Sequence, residues 1–256
     1  MSAIHTAIPT TIPAVLITGC SSGFGLETAR FFLGQGWRVI ATMRTPREGL
    51  LPASDRLRLL ALDVTDADSI RRCVEEAGPI DALVNNAGVG LLAPLEGVSL
   101  SSVREIFETN TFGTIAMTQA VLPQFRQRRA GVVVNVTSSV TLKPLPLLSV
   151  YTSSKAAVNA FTESLSLELA PFNLRARLVL PGRAPSTSFG ANARPRMAGS
   201  AHAAYTDFTQ TVFAGMGDAA APVTHTQDVV NAVWRAVTDP AAPMRIPAGA
   251  DAEALT

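Results

Sequence analysis

The run Ala14-Val15-Leu16-Ile17-Thr18-Gly19-Cys20-Ser21-Ser22-Gly23-Phe24-Gly25 decides the fold. Residues 14–18 are apolar and branched enough to read as a buried strand. Residues 25–35 read as a helix with Leu26, Ala29, Phe32 and Leu33 on its apolar side. Between them the glycines allow a sharp turn and close backbone approach to a ligand. A helix that starts there offers free N–H groups and a positive dipole end, which suits a pyrophosphate. Gly19, Ser21, Ser22, Gly23, Phe24 and Gly25 are the candidate residues of that loop. Cys20 has no base nearby in sequence and reads as a space-filling residue.

Outward from this loop, short β-branched runs alternate with helical patterns. Strands are predicted over 38–42, 57–62, 80–84, 131–136, 174–180 and 244–247. Helices are predicted over 66–77 with Asp66 as N-cap, over 101–128 with Pro123 as the bend, over 149–170 and over 227–237. Strands that alternate with helices imply parallel pairing through right-handed crossovers. The expected fold is α/β: one doubly wound, Rossmann-type parallel sheet of about seven strands with helices on both faces. Residues 1–13 read as a flexible leader and 14–256 as one dinucleotide-binding catalytic domain. Residues 182–222, rich in Ala, Gly, Pro, Ser and Thr, read as a long loop that binds substrate or acts as a lid.

Composition narrows the function. Hydrophobic residues make up 47% of the 256 and charged residues 16%, enough apolar material for a sheet buried on both faces. The net charge of +1 favours neither nucleic acid nor an anionic membrane. No apolar run approaches a membrane span. The three histidines, His5, His202 and His225, lack metal-ligand spacing, so no metal is expected. Cys20 and Cys73 lie in different predicted elements, which suits a reduced, cytoplasmic setting.

The end of the second predicted strand selects the cofactor. An acidic residue there binds the ribose hydroxyl of NAD, whereas an arginine accommodates the 2′-phosphate of NADP. The sequence is Ala41-Thr42-Met43-Arg44-Thr45, with no acid. Arg44, helped by Ser22, therefore points to NADP(H) ahead of NAD(H).

Tyr151 and Lys155 are four residues apart, which places both on one helix face. An ammonium beside a phenol lowers its pKa from about 10 toward the working range of an acid–base catalyst. Ser138 ends the fifth predicted strand, at the edge where such sheets bind ligands, and its hydroxyl can meet a substrate oxygen. The mostly apolar stretch 140–148 offers a wall for a hydrophobic small-molecule carbonyl or alcohol substrate. So do Phe189, Met197, Tyr205, Phe208, Phe213 and Met216. The same residues also suit a core or a subunit interface.

Five motifs in order resemble the short-chain dehydrogenase/reductase family over about residues 15–250. They are Thr18-Gly19-x-x-x-Gly23-x-Gly25, Asn85-Asn86-Ala87-Gly88, Asn110, Ser138 with Tyr151-x-x-x-Lys155, and Pro181-Gly182. The resemblance implies that Tyr151 donates or accepts the substrate proton and that Lys155 also binds the nicotinamide ribose. It implies that Ser138 stabilises the developing oxyanion and that Asn110 holds a water for proton relay. It places Asp63 and Val64 at adenine, Asn86, Ala87 and Gly88 under the adenine ribose, and the backbone of Pro181, Gly182 and Ala184 at the nicotinamide. Ser186 or Thr187 takes a further cofactor contact, and the register between them stays open. The motifs and the ending Arg245–Asp251 are nearest to the hydroxysteroid and retinol-type branch, which implies a bulky apolar substrate. Family members pair into homodimers or homotetramers, here through a face with Ala156, Ala157, Ala160, Leu165 and Leu169. The competing function is a cofactor-sensing regulatory or scaffold protein on the same fold.

Overall fold

The computed structural model describes residues 12–197, 200–216 and 221–256. The expected leader lies almost wholly outside the described residues; within it, Ile12 is exposed. Seven parallel strands form one sheet in the order β3-β2-β1-β4-β5-β6-β7. They are β1 (Ala14–Ile17), β2 (Arg38–Met43), β3 (Leu57–Ala61), β4 (Ala82–Asn85), β5 (Val132–Val136), β6 (Arg175–Pro181) and β7 (Arg245–Ala248). The order reverses between β1 and β4, so the crevice for a ligand opens at the carboxyl ends of those two strands.

Helices cover both faces. On one face α1 (Gly23–Gly34) packs with α8 (Thr226–Thr238). There Phe32, fully buried, meets Trp37 and Trp234 edge-on with ring centroids 5.1 Å apart in each pair. On the other face lie α2 (Ala67–Ala77), α4 (Gly113–Arg128) and α5 (Ser149–Leu169), packed through Ile70, Met117, Val121, Phe125 and Leu165. Asp66 caps α2 by accepting from the N–H groups of Asp68 and Ser69, as its position predicts. A polar seam fixes α4 and α5 to the sheet. Register sets Asn85 against Asn135. Asn85 Nδ2 donates to Asn135 Oδ1 at 2.9 Å and to Thr118 Oγ1 at 3.1 Å, and Asn135 Nδ2 donates to Thr162 Oγ1 at 2.7 Å.

Two expectations change. The helical region 101–128 breaks at Glu108–Phe112, a single π turn between α3 (Leu100–Phe107) and α4, and not at Pro123, which sits inside α4. The Asn110 side chain bonds the backbone of Val89 on a neighbouring segment, and that attachment accompanies the widened turn. The stretch 182–222 is not structureless. It carries α6 (Phe189–Met197) and α7 (Thr206–Met216). A last short helix, α9 (Ala250–Glu253), follows β7.

Replacing Phe32 by Ala removes the centre of the aromatic cluster and leaves a cavity. The expected loss is about 4 kcal/mol of folding stability, read as a shifted urea midpoint.

Candidate active site

The carboxyl edge of the sheet is held together at its switch point. Thr18 follows β1, and its Oγ1 accepts from the N–H groups of Asn86 at 3.0 Å and Ala87 at 2.9 Å. Asn86 Nδ2 donates in return to Thr18 O at 2.9 Å and Gly19 O at 3.2 Å. The glycine loop and the turn after β4 thus form one surface. Ser22 leads into α1 but makes no side-chain cap, and the first turn of α1 carries no acid. The helix therefore begins with free donors. Gly23 has a φ of +58°, and a side chain added there would meet only Thr187, at 3.6 Å. A Cβ on Gly25, by contrast, would overlap Gly19 O. This cradle of open backbone and uncapped helix end fits a dinucleotide pyrophosphate. Ser21, Ser22 and Phe24 line it, half-buried.

Beside this loop Arg44 is exposed, and its charge reaches Asp63. Asp63 Oδ1 accepts from Thr65 N at 2.9 Å and Thr65 Oγ1 at 2.7 Å. These bonds, ahead of Arg44, hold its carboxyl below the usual carboxylate range against the penalty of burial. Val64 packs on Gly113 at the start of α4. A second arginine, Arg47, donates from Nη2 to Ser21 O at 2.9 Å. The sequence reading had passed over Arg47, three residues beyond Arg44, although it is a further cation on the loop.

The polar set gathers where β5 meets α5. Ser138 Oγ accepts from Val140 N at 3.3 Å and donates to Pro181 O at 3.4 Å. The Ser138 hydroxyl lies near enough to the Tyr151 phenol to favour its phenolate. Lys155 Nζ donates to Val136 O at 3.0 Å. Gly88 lies against both Lys155 and Asn110, since a Cβ on it would stand 3.2 Å from Lys155 Nζ and 3.2 Å from Asn110 Oδ1. Asn110 Oδ1 accepts from Val89 N at 2.8 Å, and its Nδ2 donates to Val89 O at 2.9 Å and Ser154 Oγ at 3.0 Å. Asn110, Ser138, Tyr151 and Lys155 are all buried.

Burial dominates the electrostatics. It pushes the Tyr151 phenol up to about 12, with the Ser138 hydrogen bond only partly offsetting it. It pushes Lys155 down to about 8. The expected lowering of Tyr151 by Lys155 is therefore not what the chain shows. Desolvation penalises the phenolate and the ammonium alike.

Thr187, not Ser186, faces the glycine loop beside Gly23, and it is anchored by donating to Ala184 O at 2.9 Å. Ser186 is exposed. Phe189, at the start of α6, lies against Tyr151 with ring centroids 5.7 Å apart. Met197 joins the apolar cluster of Leu91, Ile106 and Val150, and Tyr205 stacks edge-on to His202. Phe208 and Phe213 are exposed. Asn159, one turn beyond Lys155, is a residue the sequence reading missed. Its Nδ2 donates to Thr141 Oγ1 at 2.9 Å, and Thr141 Oγ1 donates to Ser138 O at 2.8 Å. The signal was available, since Asn159 continues the spacing of Tyr151 and Lys155.

Residues 13–198 match the family model for short chain dehydrogenase. The chain belongs to that family. Retinol dehydrogenase 8 of Bos taurus is 42% identical over 180 residues, 66% of this chain and 58% of that protein. The chain thus spans about three fifths of the length of such curated relatives. A short-chain dehydrogenase from Streptomyces avermitilis superposes with a TM-score of 0.81 at 28% identity, covering 97% of this chain and 92% of that one. A Burkholderia cenocepacia short chain dehydrogenase in complex with NADP superposes at 0.76 with 26% identity, covering 95% and 91%. The motifs of this dehydrogenase-family chain are nearest to the hydroxysteroid and retinol-type branch, in keeping with the Bos taurus relative.

Buried Lys155 makes a pH prediction for the free protein. Unfolded, its ammonium keeps the proton up to about pH 10.5, and folded it loses it near 8. Between those values the unfolded chain binds more protons, so Lys155 makes stability rise with pH. The wild type should gain, relative to Lys155→Met, on the order of 2 kcal/mol from pH 8 to pH 10. Urea midpoints at the two pH values measure it.

Proposed function

We propose that the protein transfers hydride between NADP(H) and a ketone or secondary alcohol with a bulky apolar body. The observation that carries this reading is the buried Tyr151 phenol, beside the buried Ser138 hydroxyl at the carboxyl edge of β5 and one helical turn from buried Lys155. Bound nicotinamide supplies or takes up the hydride. The loop Gly19–Gly25 and the α1 N-terminus hold the pyrophosphate. Asp63 and Val64 would hold the adenine, Asn86, Ala87 and Gly88 its ribose, and Pro181, Gly182, Ala184 and Thr187 the nicotinamide half.

In the reductive direction the phenol is protonated at neutral pH, because burial holds its proton tightly. Tyr151 gives that proton to the developing alkoxide, and Ser138 donates a hydrogen bond to the same oxygen. Lys155 remains largely charged at pH 7 and holds the nicotinamide ribose. Its charge also stabilises the tyrosinate left behind. Asn110 keeps the turn after β4 pressed against Lys155.

The coenzyme preference is supported by Arg44 and Arg47 at the end of β2 and by the lack of an acid there. The apolar substrate is supported by Phe189 beside Tyr151 and by Leu145 on the loop before α5, two large hydrophobics left 40% and 41% exposed. Retinol, an apolar alcohol, in the name of the Bos taurus relative points the same way. The segment carrying α6 acts as a lid over this mouth. Ala156 and Ala160 on α5 are exposed and suit a homodimer or homotetramer contact, whereas Leu165 and Leu169 are spent in the core. Both described cysteines are free, which suits the cytoplasm. No helix among the described residues is long and apolar enough to cross a membrane.

The test is oxidation of NADPH and NADH against a panel of steroidal, aromatic and long-chain ketones. Tyr151→Phe should lose at least about a hundredfold in turnover while still binding NADPH; full turnover would refute the mechanism. Arg44→Ala should raise the KM for NADPH roughly tenfold and leave that for NADH unchanged. Phe189→Ala should raise the KM for bulky apolar ketones more than that for small ones.

A further inference from the structure

Three segments distant in sequence meet at one carboxylate behind the nicotinamide side of the site. Asp251, on α9, accepts from Arg183 N at Oδ2, 2.6 Å, and from Thr224 Oγ1 at Oδ1, 2.7 Å. Arg183 is where the chain leaves β6 toward α6, and Thr224 is where it returns from α7 to α8. Both ends of the excursion are therefore tied to the same side chain. Further bonds close the lock. Gly182 N donates to Thr224 Oγ1 at 2.8 Å, Thr224 N donates to Arg183 O at 2.8 Å, and Thr224 Oγ1 also faces Ala248 O at 2.8 Å. Thr224 is fully buried. A Cβ on Gly182 would overlap the Asp251 carboxylate, so this glycine is needed for the carboxylate to seat against the backbone.

We propose that Asp251 is a positioning residue: it pins both ends of the segment carrying α6 and so fixes the backbone of Pro181–Ala184 against the nicotinamide. The inference rests on the proposed nicotinamide chemistry for its consequence, but not for the lock itself. Asp251 touches no reacting atom and acts through the main chain of Gly182 and Arg183. Both oxygens of the carboxylate face donors, so an apolar residue there removes the acceptor of the Arg183 backbone N–H and one of the bonds that hold Thr224. Asparagine is different. Its oxygen can take Arg183 N–H while its amide donates to Thr224 Oγ1, whose own proton turns to Ala248 O.

The experiment compares Asp251→Ala, Asp251→Asn, Thr224→Val and Thr224→Ser with the wild type, using two readouts. The first is amide hydrogen exchange at Gly182 and Arg183 in the free protein. Exchange should quicken at least about tenfold in Asp251→Ala, quicken at Gly182 in Thr224→Val, and stay near wild type in Asp251→Asn and Thr224→Ser. The second is binding of NADPH beside adenosine 2′,5′-bisphosphate, which lacks the nicotinamide half, with NADH and AMP as the parallel pair. Asp251→Ala should weaken whichever dinucleotide the wild type binds by roughly tenfold and leave the adenosine fragment unchanged. Equal loss for dinucleotide and fragment would mean a merely structural role and overturns the proposal. So does unchanged exchange at Gly182 and Arg183. A wild type that binds neither dinucleotide would defeat the proposed function, and the exchange data would still decide whether Asp251 pins the segment.

Discussion

Thr18 and Gly19 share four hydrogen bonds with Asn86 and Ala87 across the point where the strand order reverses. Each contributes on the order of 1 kcal/mol, but their position matters more than their sum. Parallel strands bring every carboxyl end to one edge, and the crossovers on either side of β1 and β4 draw the chain away in opposite directions. The gap that results would be an open crevice without a clasp. With it, the glycine loop, the turn at Asn86–Gly88 and the foot of α1 hold a common geometry. Lys155 then meets that turn from α5, with Gly88 as the point of closest approach.

The polar set lies in a setting that works against charge. The sheet and its two helix layers exclude water from Tyr151 and Lys155, so each neutral form is favoured. A phenol that holds its proton and an amine that gives its proton up easily are displaced in opposite senses by one cause. A cation brought against this pair shifts the phenol in the direction of the phenolate. The free protein is therefore poised for proton donation, and proton removal depends on what is bound.

The strands and their parallel pairing were readable because short β-branched runs alternate with helical patterns along the chain. Tyr151, Lys155 and Ser138 were readable through spacing and strand ends, whereas the part given to Asn110 came only through resemblance to the family. Pro123 was expected to bend or interrupt the long helical region, and α4 runs through it without interruption. Proline is the strongest local signal, yet the π turn arises where Asn110 bonds Val89, a contact invisible in one dimension. The helices α6 and α7 were hidden by composition, since Gly190, Pro195 and Gly215 make their segments look like loop. Arg47, Asn159 and Thr224 act through contacts with main chain or side chains brought near by folding. Asp251 stood in a quoted motif, but its partners are 68 and 27 positions away.

That separation has a consequence for assembly. As the chain emerges during synthesis, the pyrophosphate loop can close on the Asn86 turn once β4 has formed. The contacts of Gly182 and Arg183 with Asp251 must wait for a residue made much later. The clasp at Thr18 and Asn86 is thus finished first and the contacts of Asp251 last. A nascent chain arrested between the two stages would present the switch-point crevice with one wall unfastened. The hydrophobic mouth beside Phe189 would then be open to whatever apolar surface lies near.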